Sequence, residues 1–124
     1  MVVDTSALLA VFFNEKFGPW VIDQLQTHAS DLSMSTVNYA ELLILVRDRQ
    51  PKAFSEVAEA IQSSSIRLVP PSAHHAEIAA SARLRYPLNL GDCFAYALAK
   101  EENSPLLTLD RDFRRTDVSP IIPR

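Results

Sequence analysis

Met1-Val2-Val3 runs straight into Asp4, and Asp4 is followed at once by Thr5, Ser6 and a second apolar run, Ala7-Leu8-Leu9. A short apolar stretch, β-branched at Val2 and Val3, has the character of a buried strand, and a Thr-Ser pair ahead of a periodic apolar segment has that of a helix start. The chain thus passes from the carboxyl end of a strand directly into a helix. Repeated along a chain, that join builds a parallel sheet covered by helices. In open α/β sheets ligands sit outside the carboxyl ends of the strands, so Asp4 stands where chemistry belongs. Asp, Thr and Ser also cap helix N-termini, and a plain cap is the competing reading of Asp4.

The remaining 115 or so residues repeat the alternation. Ala7 to Phe13 reads as a short helix, broken at Asn14-Glu15-Lys16. A second helix starts at Pro19 and carries Trp20, Val21 and Leu25 at helical spacing to about His28. Leu32 to Ser35 is a short strand, Thr36 to Arg49 a helix, and Pro51 stops that helix and opens the next, Lys52 to Ser63. Ile66 to Val69 is a third strand, ended by Pro70-Pro71. Ser72 caps a helix reaching Arg85, closed by Pro87. Leu90 to Glu102 is the most apolar helix and has almost no polar face, which places it against the sheet. Leu106 to Leu109 is a fourth strand, Asp110 to Arg115 a short helix or turn, and Ile121-Ile122 a fifth strand at the edge. The expected fold class is α/β, with a central parallel sheet of four to five strands and helices on both faces.

Composition excludes several functions. With 124 residues and 48% hydrophobic content, the chain is expected to form one globular domain, 1–124. The lone Cys93 rules out an internal disulfide and a cysteine-based zinc cluster, and a reducing cytoplasm is its natural setting. No apolar run approaches a membrane span, and the start carries no basic segment of the kind found in signal peptides. Gly18 and Gly91 are the only glycines, so neither the dinucleotide turn nor the phosphate-cradling loop is present. A net charge of −3 argues against gripping nucleic acid with the whole surface.

Four acids stand apart from the solvated charges. Asp4 ends the first strand. Glu41 interrupts an apolar helix stretch, with Val37, Asn38, Ile44 and Leu45 one turn away. Asp92 lies in the first turn of the most buried helix, where the helix dipole favours a carboxylate. Asp110 follows the fourth strand. Gathered at one edge of the sheet they would repel strongly: two like charges at ~4 Å cost about 4 kcal/mol at an effective dielectric near 20. Some must then be protonated, or a divalent cation sits among them. All-oxygen ligands without His or Cys favour Mg²⁺ or Mn²⁺.

V-V-D-T-S-A-L, Y-A-E-L, L-N-L-G-D-C-F-A-Y-A-L-A and L-L-T-L-D-R-D-F, in this order over nearly the whole chain, resemble the PIN domain family, and most closely its small VapC-type toxins. The resemblance implies a PIN-like three-layer α/β/α fold. It implies a Mg²⁺-dependent endoribonuclease of the cytoplasm, restrained by a cognate VapB-type antitoxin and assembled as a homodimer. Asp4, Glu41, Asp92 and Asp110 match the family's four acidic residues. Asp112 takes the second acid position of the T-x-D-x-D-F motif, close to metal in some relatives. Thr5, Ser6 and Thr108 fall where the family keeps hydroxyl groups around the acids.

On this reading Asp4, Asp92 and Asp110 bind metal, and Glu41 binds metal or orients the attacking water. Arg111, Arg114 and Arg115 are candidates for flanking phosphates, with Arg83 and Arg85 ahead of the Asp92 loop. Tyr39 is expected in the core rather than stacked on a base, His28, His74 and His75 at the surface, and Cys93 buried. The helices at Phe17 to Leu25 and Thr36 to Val46 are candidates for an antitoxin groove. A DNA nuclease and a non-catalytic binding module are the alternatives. A signalling receiver is disfavoured, because Asp4 lacks an acidic neighbour and no lysine follows a late strand.

Overall fold

The structure, a computed structural model, describes residues 1–124. Five strands form one sheet: β1 (Val2–Val3), β2 (Ser33–Ser35), β3 (Arg67–Val69), β4 (Leu106–Leu107) and β5 (Pro120–Ile121). Their order is β3-β2-β1-β4-β5 and every pairing is parallel. A receiver has the order 2-1-3-4-5 and is thereby excluded. Six α-helices connect them: α1 (Thr5–Phe12), α2 (Gly18–Thr27), α3 (Thr36–Arg49), α4 (Phe54–Gln62), α5 (Ala73–Arg85) and α6 (Leu90–Glu102). No helix is long and apolar enough to cross a membrane.

Alternation along two-residue strands is enough to cover both faces. Val3 and Leu107 enter one core cluster with Leu8, Val21, Met34, Leu42 and Ile61, beneath α1 to α4. Their strand neighbours Val2 and Leu106 point the other way, into a second cluster with Ala79, Tyr96, Leu98 and Phe113, beneath α5 and α6. This is the expected three-layer α/β/α arrangement.

Element order follows the sequence reading throughout, and the differences lie at the ends. β4 stops at Leu107 rather than Leu109, because Thr108 and Leu109 have already turned toward Ser6. Pro51 opens a 3-10 turn, Pro51–Ala53, before α4 begins at Phe54. Asp110 to Arg115 also resolves as a 3-10 helix, over Arg111–Arg115.

One expectation is corrected. His75 is not a surface group but 4% exposed. Its backbone N–H donates to the Ser72 hydroxyl, its Nδ1 accepts from the Ser72 N–H, and its Nε2 reaches the Glu101 carboxylate. It is a capping-box residue that straps α5 to α6. His28 is half-buried, with Nδ1 against the Gln24 carbonyl, and only His74 is fully exposed. Tyr39 packs on the first core cluster and Cys93 is buried, both as expected.

The register positions the site. Val3 lies level with Leu107, so the next residues, Asp4 and Thr108, leave the sheet side by side. They do so between β1 and β4, where the chain's sequential strand order reverses. That crevice is the place where open α/β sheets bind ligands.

Candidate functional site

Asp4 occupies the N-cap position of α1, yet its side chain makes no capping hydrogen bond. Its Oδ2 instead accepts from the Ser6 and Thr108 hydroxyls, each at 2.8 Å. Ser6 Oγ in turn accepts from the Leu109 N–H at 2.9 Å, and Thr108 Oγ1 from the Asp110 N–H at 3.0 Å. These bonds tie the exits of β1 and β4 to one carboxylate. The capping reading fails for Asp4, because both hydroxyls and the chain leaving β4 pull the carboxylate across the strand ends. It holds for Asp110, whose Oδ1 accepts from the Asp112 N–H at 2.9 Å.

The other two acids come from helices. Asp92 sits in the first turn of α6, its N–H held at 2.8 Å by Asn89 Oδ1, and it is 9% exposed. Glu41 comes from α3, its Oε1 accepting from the Thr5 hydroxyl, which also lies 3.2 Å from the Asn38 carbonyl. Fully buried Asn38, one turn before Glu41, donates from Nδ2 to the Gly91 carbonyl at 2.9 Å. That bond locks α3 onto the start of α6. A Cβ on Gly91 would lie 2.6 Å from Glu41 Oε2 and 2.9 Å from its Cδ. The Glu41 carboxylate therefore lies directly on the surface that glycine leaves open.

Asp4, Glu41, Asp92 and Asp110 line one cavity of about 180 Å³ with Thr5, Ser6 and Asn89. Leu9 and Leu45 supply its apolar wall. Thus the four acids singled out in the sequence converge. Asp112 does not line the cavity; its contribution is the backbone N–H on Asp110. Thr108 acts from beneath, through Asp4. Arg111, Arg114 and Arg115 are exposed on the 3-10 helix that follows Asp110, without an ion pair, and none lines the cavity. Arg83 is exposed, and Arg85 is engaged by the Tyr86 and Tyr96 hydroxyls.

The electrostatics follow from burial and like charge. Burial raises the Asp4 carboxyl above its usual range, with Glu41 adding repulsion, against the lowering effect of the Ser6 and Thr108 hydrogen bonds. Asp92 is pushed up to about 7, first by burial and then by Asp4, Asp110 and Glu41. Asp4 Oδ1 is buried with no hydrogen-bond partner. An orphaned oxygen on a carboxylate that shares its cavity with three more lacks positive charge, and a hard divalent cation fits that donor set. The acids are not gathered into a ready-made cage of three direct ligands. That spacing suits an ion bound through one or two carboxylates with the rest of its shell as water.

Asn38, Asn89 and Gly91 were not singled out by the sequence reading. Asn38 had a signal, lying three residues before Glu41 on the same helix face. Gly91 had a weaker one, a glycine inside an otherwise apolar helix start. Asn89 had the signal of its position, directly before the Leu90 helix start, where an N-cap residue belongs.

A parallel α/β sheet with carboxylates around its central crevice defines the general class, and comparison narrows it. Residues 1–119 match the family model of the PIN domain. The ribonuclease VapC of Mycolicibacterium smegmatis is 36% identical over 133 aligned residues, covering 98% of this chain and 99% of that protein. Mycobacterium tuberculosis VapC20, described as a sarcin-ricin loop cleaving toxin, superposes with a TM-score of 0.85 at 18% identity, covering 98% of both chains. A toxin-antitoxin complex from Klebsiella pneumoniae gives 0.82 at 18% identity, over 99% of this chain and 97% of that one. The chain belongs to the PIN domain family, in its VapC branch.

Two outcomes are expected. Asp4 and Asp92 have folded-state values above the unfolded value of 3.8, so for Asp92 the folded state binds more protons between 3.8 and about 7. Stability then falls as pH rises through that window. Asp117, held low by Tyr96 and Lys100, acts with the opposite sign and only at lower pH. In EDTA, Tm should be lower at pH 8 than at pH 5, and Asp92→Asn should flatten the slope; a slope unchanged in the variant counts against the assignment.

Gly91→Ala should leave stability within about 1 kcal/mol, since helix propensity gained offsets one lost hydrogen bond. The flexible Glu41 side chain, rather than backbone, must give way. A crystal structure of the variant should show the Thr5–Glu41 bond broken, and a bond still intact would refute this account of Gly91.

Proposed function

We propose that the chain is a Mg²⁺-dependent endoribonuclease, the toxin of a toxin–antitoxin pair acting in the cytoplasm. The observation that supports it most directly is the unpartnered, buried Asp4 Oδ1 in a cavity walled by Glu41, Asp92 and Asp110. The names of its relatives, ribonuclease VapC at 36% identity among them, supply the reaction.

Asp4, Asp92 and Asp110 are the residues that would hold Mg²⁺, or Mn²⁺, directly or through water. A metal ion so held activates water and neutralises charge on a phosphodiester. The remaining work belongs to the chain. Ser6 and Thr108 hold Asp4 by Oδ2 and leave Oδ1 for the cation. Thr5 occupies Glu41 Oε1, which leaves Oε2 to orient the attacking water and take its proton. Because water rather than the ribose hydroxyl attacks, the products carry a 5′-phosphate. Arg111, Arg114 and Arg115, exposed, unpaired and one to five residues after Asp110, are the proposed holders of flanking phosphates of the RNA.

The cognate antitoxin, of VapB type, is the proposed partner. Next to the acid cavity runs an apolar groove lined by Val37, Ala40, Ile44 and Leu90, sharing Glu41 and Leu45 with it. Ile44 is 60% and Leu90 72% exposed. A segment with apolar residues and one arginine or lysine would fill the groove and replace the metal charge at the acids. Of the two candidate helices, α3 carries this groove, while α2 turns Val21 into the core. Homodimerisation, which the family resemblance implies, belongs to the same proposal.

End-labelled bacterial RNA should be cut at discrete positions in Mg²⁺ by the wild type, and cutting should vanish in excess EDTA and in Asp92→Asn. Absence of RNA cleavage by folded wild type, with single-stranded or structured DNA cut instead, would transfer the proposal to a DNA nuclease. Ile44→Glu should reduce capture of a co-expressed antitoxin at least tenfold, and Asp4→Asn with Asp92→Asn should weaken it too; unchanged capture by both variants would exclude the groove.

A further inference from the structure

The acid cavity contains almost nothing that can donate a hydrogen bond. No lysine, arginine or histidine lines it. The two hydroxyl protons at its wall are already given away, from Thr5 to Glu41 and from Ser6 to Asp4. A phosphodiester offers only acceptors, and the charge that develops on its oxygens beyond what a cation neutralises is stabilised by a donor on the protein side.

One side chain supplies that donor. Asn89 lines the cavity, and its amide orientation follows from chemistry rather than choice. The Asp92 N–H lies 2.8 Å from the Asn89 side chain, and a backbone N–H donates only to oxygen, so that atom is Oδ1. The other end is then Nδ2, with two protons, on an exposed side chain and without a hydrogen bond to the rest of the protein. The cap on α6 thereby orients the free amide. Being neutral, Asn89 adds a donor without a positive charge that would compete with a cation for the acids.

Building on the nuclease reading, we propose that Asn89 is a catalytic residue, its Nδ2 donating to a non-bridging oxygen of the scissile phosphodiester while its Oδ1 caps α6 and holds Asp92.

The two ends of the amide separate by substitution. Asn, Asp and Ser are comparable N-caps, so Asn89→Ser keeps an acceptor for Asp92 and deletes the amide donor, whereas Asn89→Ala loses both. Three measurements apply to each variant: Tm, Mn²⁺ affinity by electron paramagnetic resonance, and cleavage of end-labelled bacterial RNA in Mg²⁺. Losing one donor to a developing oxyanion costs about 10²-fold or more in kcat. Asn89→Ser should therefore lose about that factor in kcat, with KM, Mn²⁺ affinity and Tm near wild type. Asn89→Ala should in addition lower Tm.

Cleavage by Asn89→Ser within threefold of wild type would overturn the proposal and leave the nuclease reading standing. So would a kcat loss matched by an equal loss of Mn²⁺ affinity, which would make Asn89 a positioning residue for Asp92. Wild type that binds Mn²⁺ but cuts no RNA would overturn both.

Discussion

The site depends on one buried carboxylate. Asp4 is 2% exposed, with one oxygen held by two hydroxyls and the other by nothing. Burying a carboxylate is costly, and the chain accepts that cost where β1 and β4 diverge. The hydroxyls that stabilise Asp4 are in turn held by the Leu109 and Asp110 N–H groups. The carboxylate is thereby coupled to the direction in which the chain leaves β4, and so to the position of Asp110. Removing the carboxylate would remove the anchor for that exit as well as the charge.

Around Asp4 the other acids are placed by bonds that are not themselves acidic. Asn38 joins α3 to Gly91, Thr5 joins α1 to Glu41, and Asn89 joins the α6 cap to Asp92. Three helices are thus fixed relative to one another at their ends nearest the crevice. A cluster of like charges would otherwise push them apart, and that repulsion adds to burial, the larger cause, in raising Asp92 to about 7. The polar framework keeps the carboxylates together before any counter-charge arrives, the preorganisation that electrostatic catalysis requires.

Much of this could be seen in the sequence. Four of the five strands were found because apolar stretches stop abruptly at an acid or a proline, and α6 because Phe94 to Ala99 leave it no polar face, whereas Leu32 to Ser35 alternates with serine and has no such stop. The four acids were found because each breaks an apolar context. His75 was misplaced because a histidine on an Ala-rich helix looks solvated, and its burial depends on Ser72 and on Glu101 from another helix. The arginines after Asp110 were chosen, by proximity in sequence, for phosphates flanking the site, and they stand exposed on the 3-10 helix outside the cavity.

By itself the sequence determined the alternation of elements, the PIN domain membership and the identity of the acids, because these rest on local periodicity and on residue types at fixed positions. Only the tertiary structure decided that Glu41 lies against Gly91, that Asp4 abandons the cap for Thr108, and that Asn89 has a free amide end. Those contacts join residues 50 to 104 positions apart, or depend on which atom of a side chain is already engaged. The physical reason is register: the pairing of Val3 with Leu107 brings Asp4 beside Thr108, and no local pattern encodes that alignment.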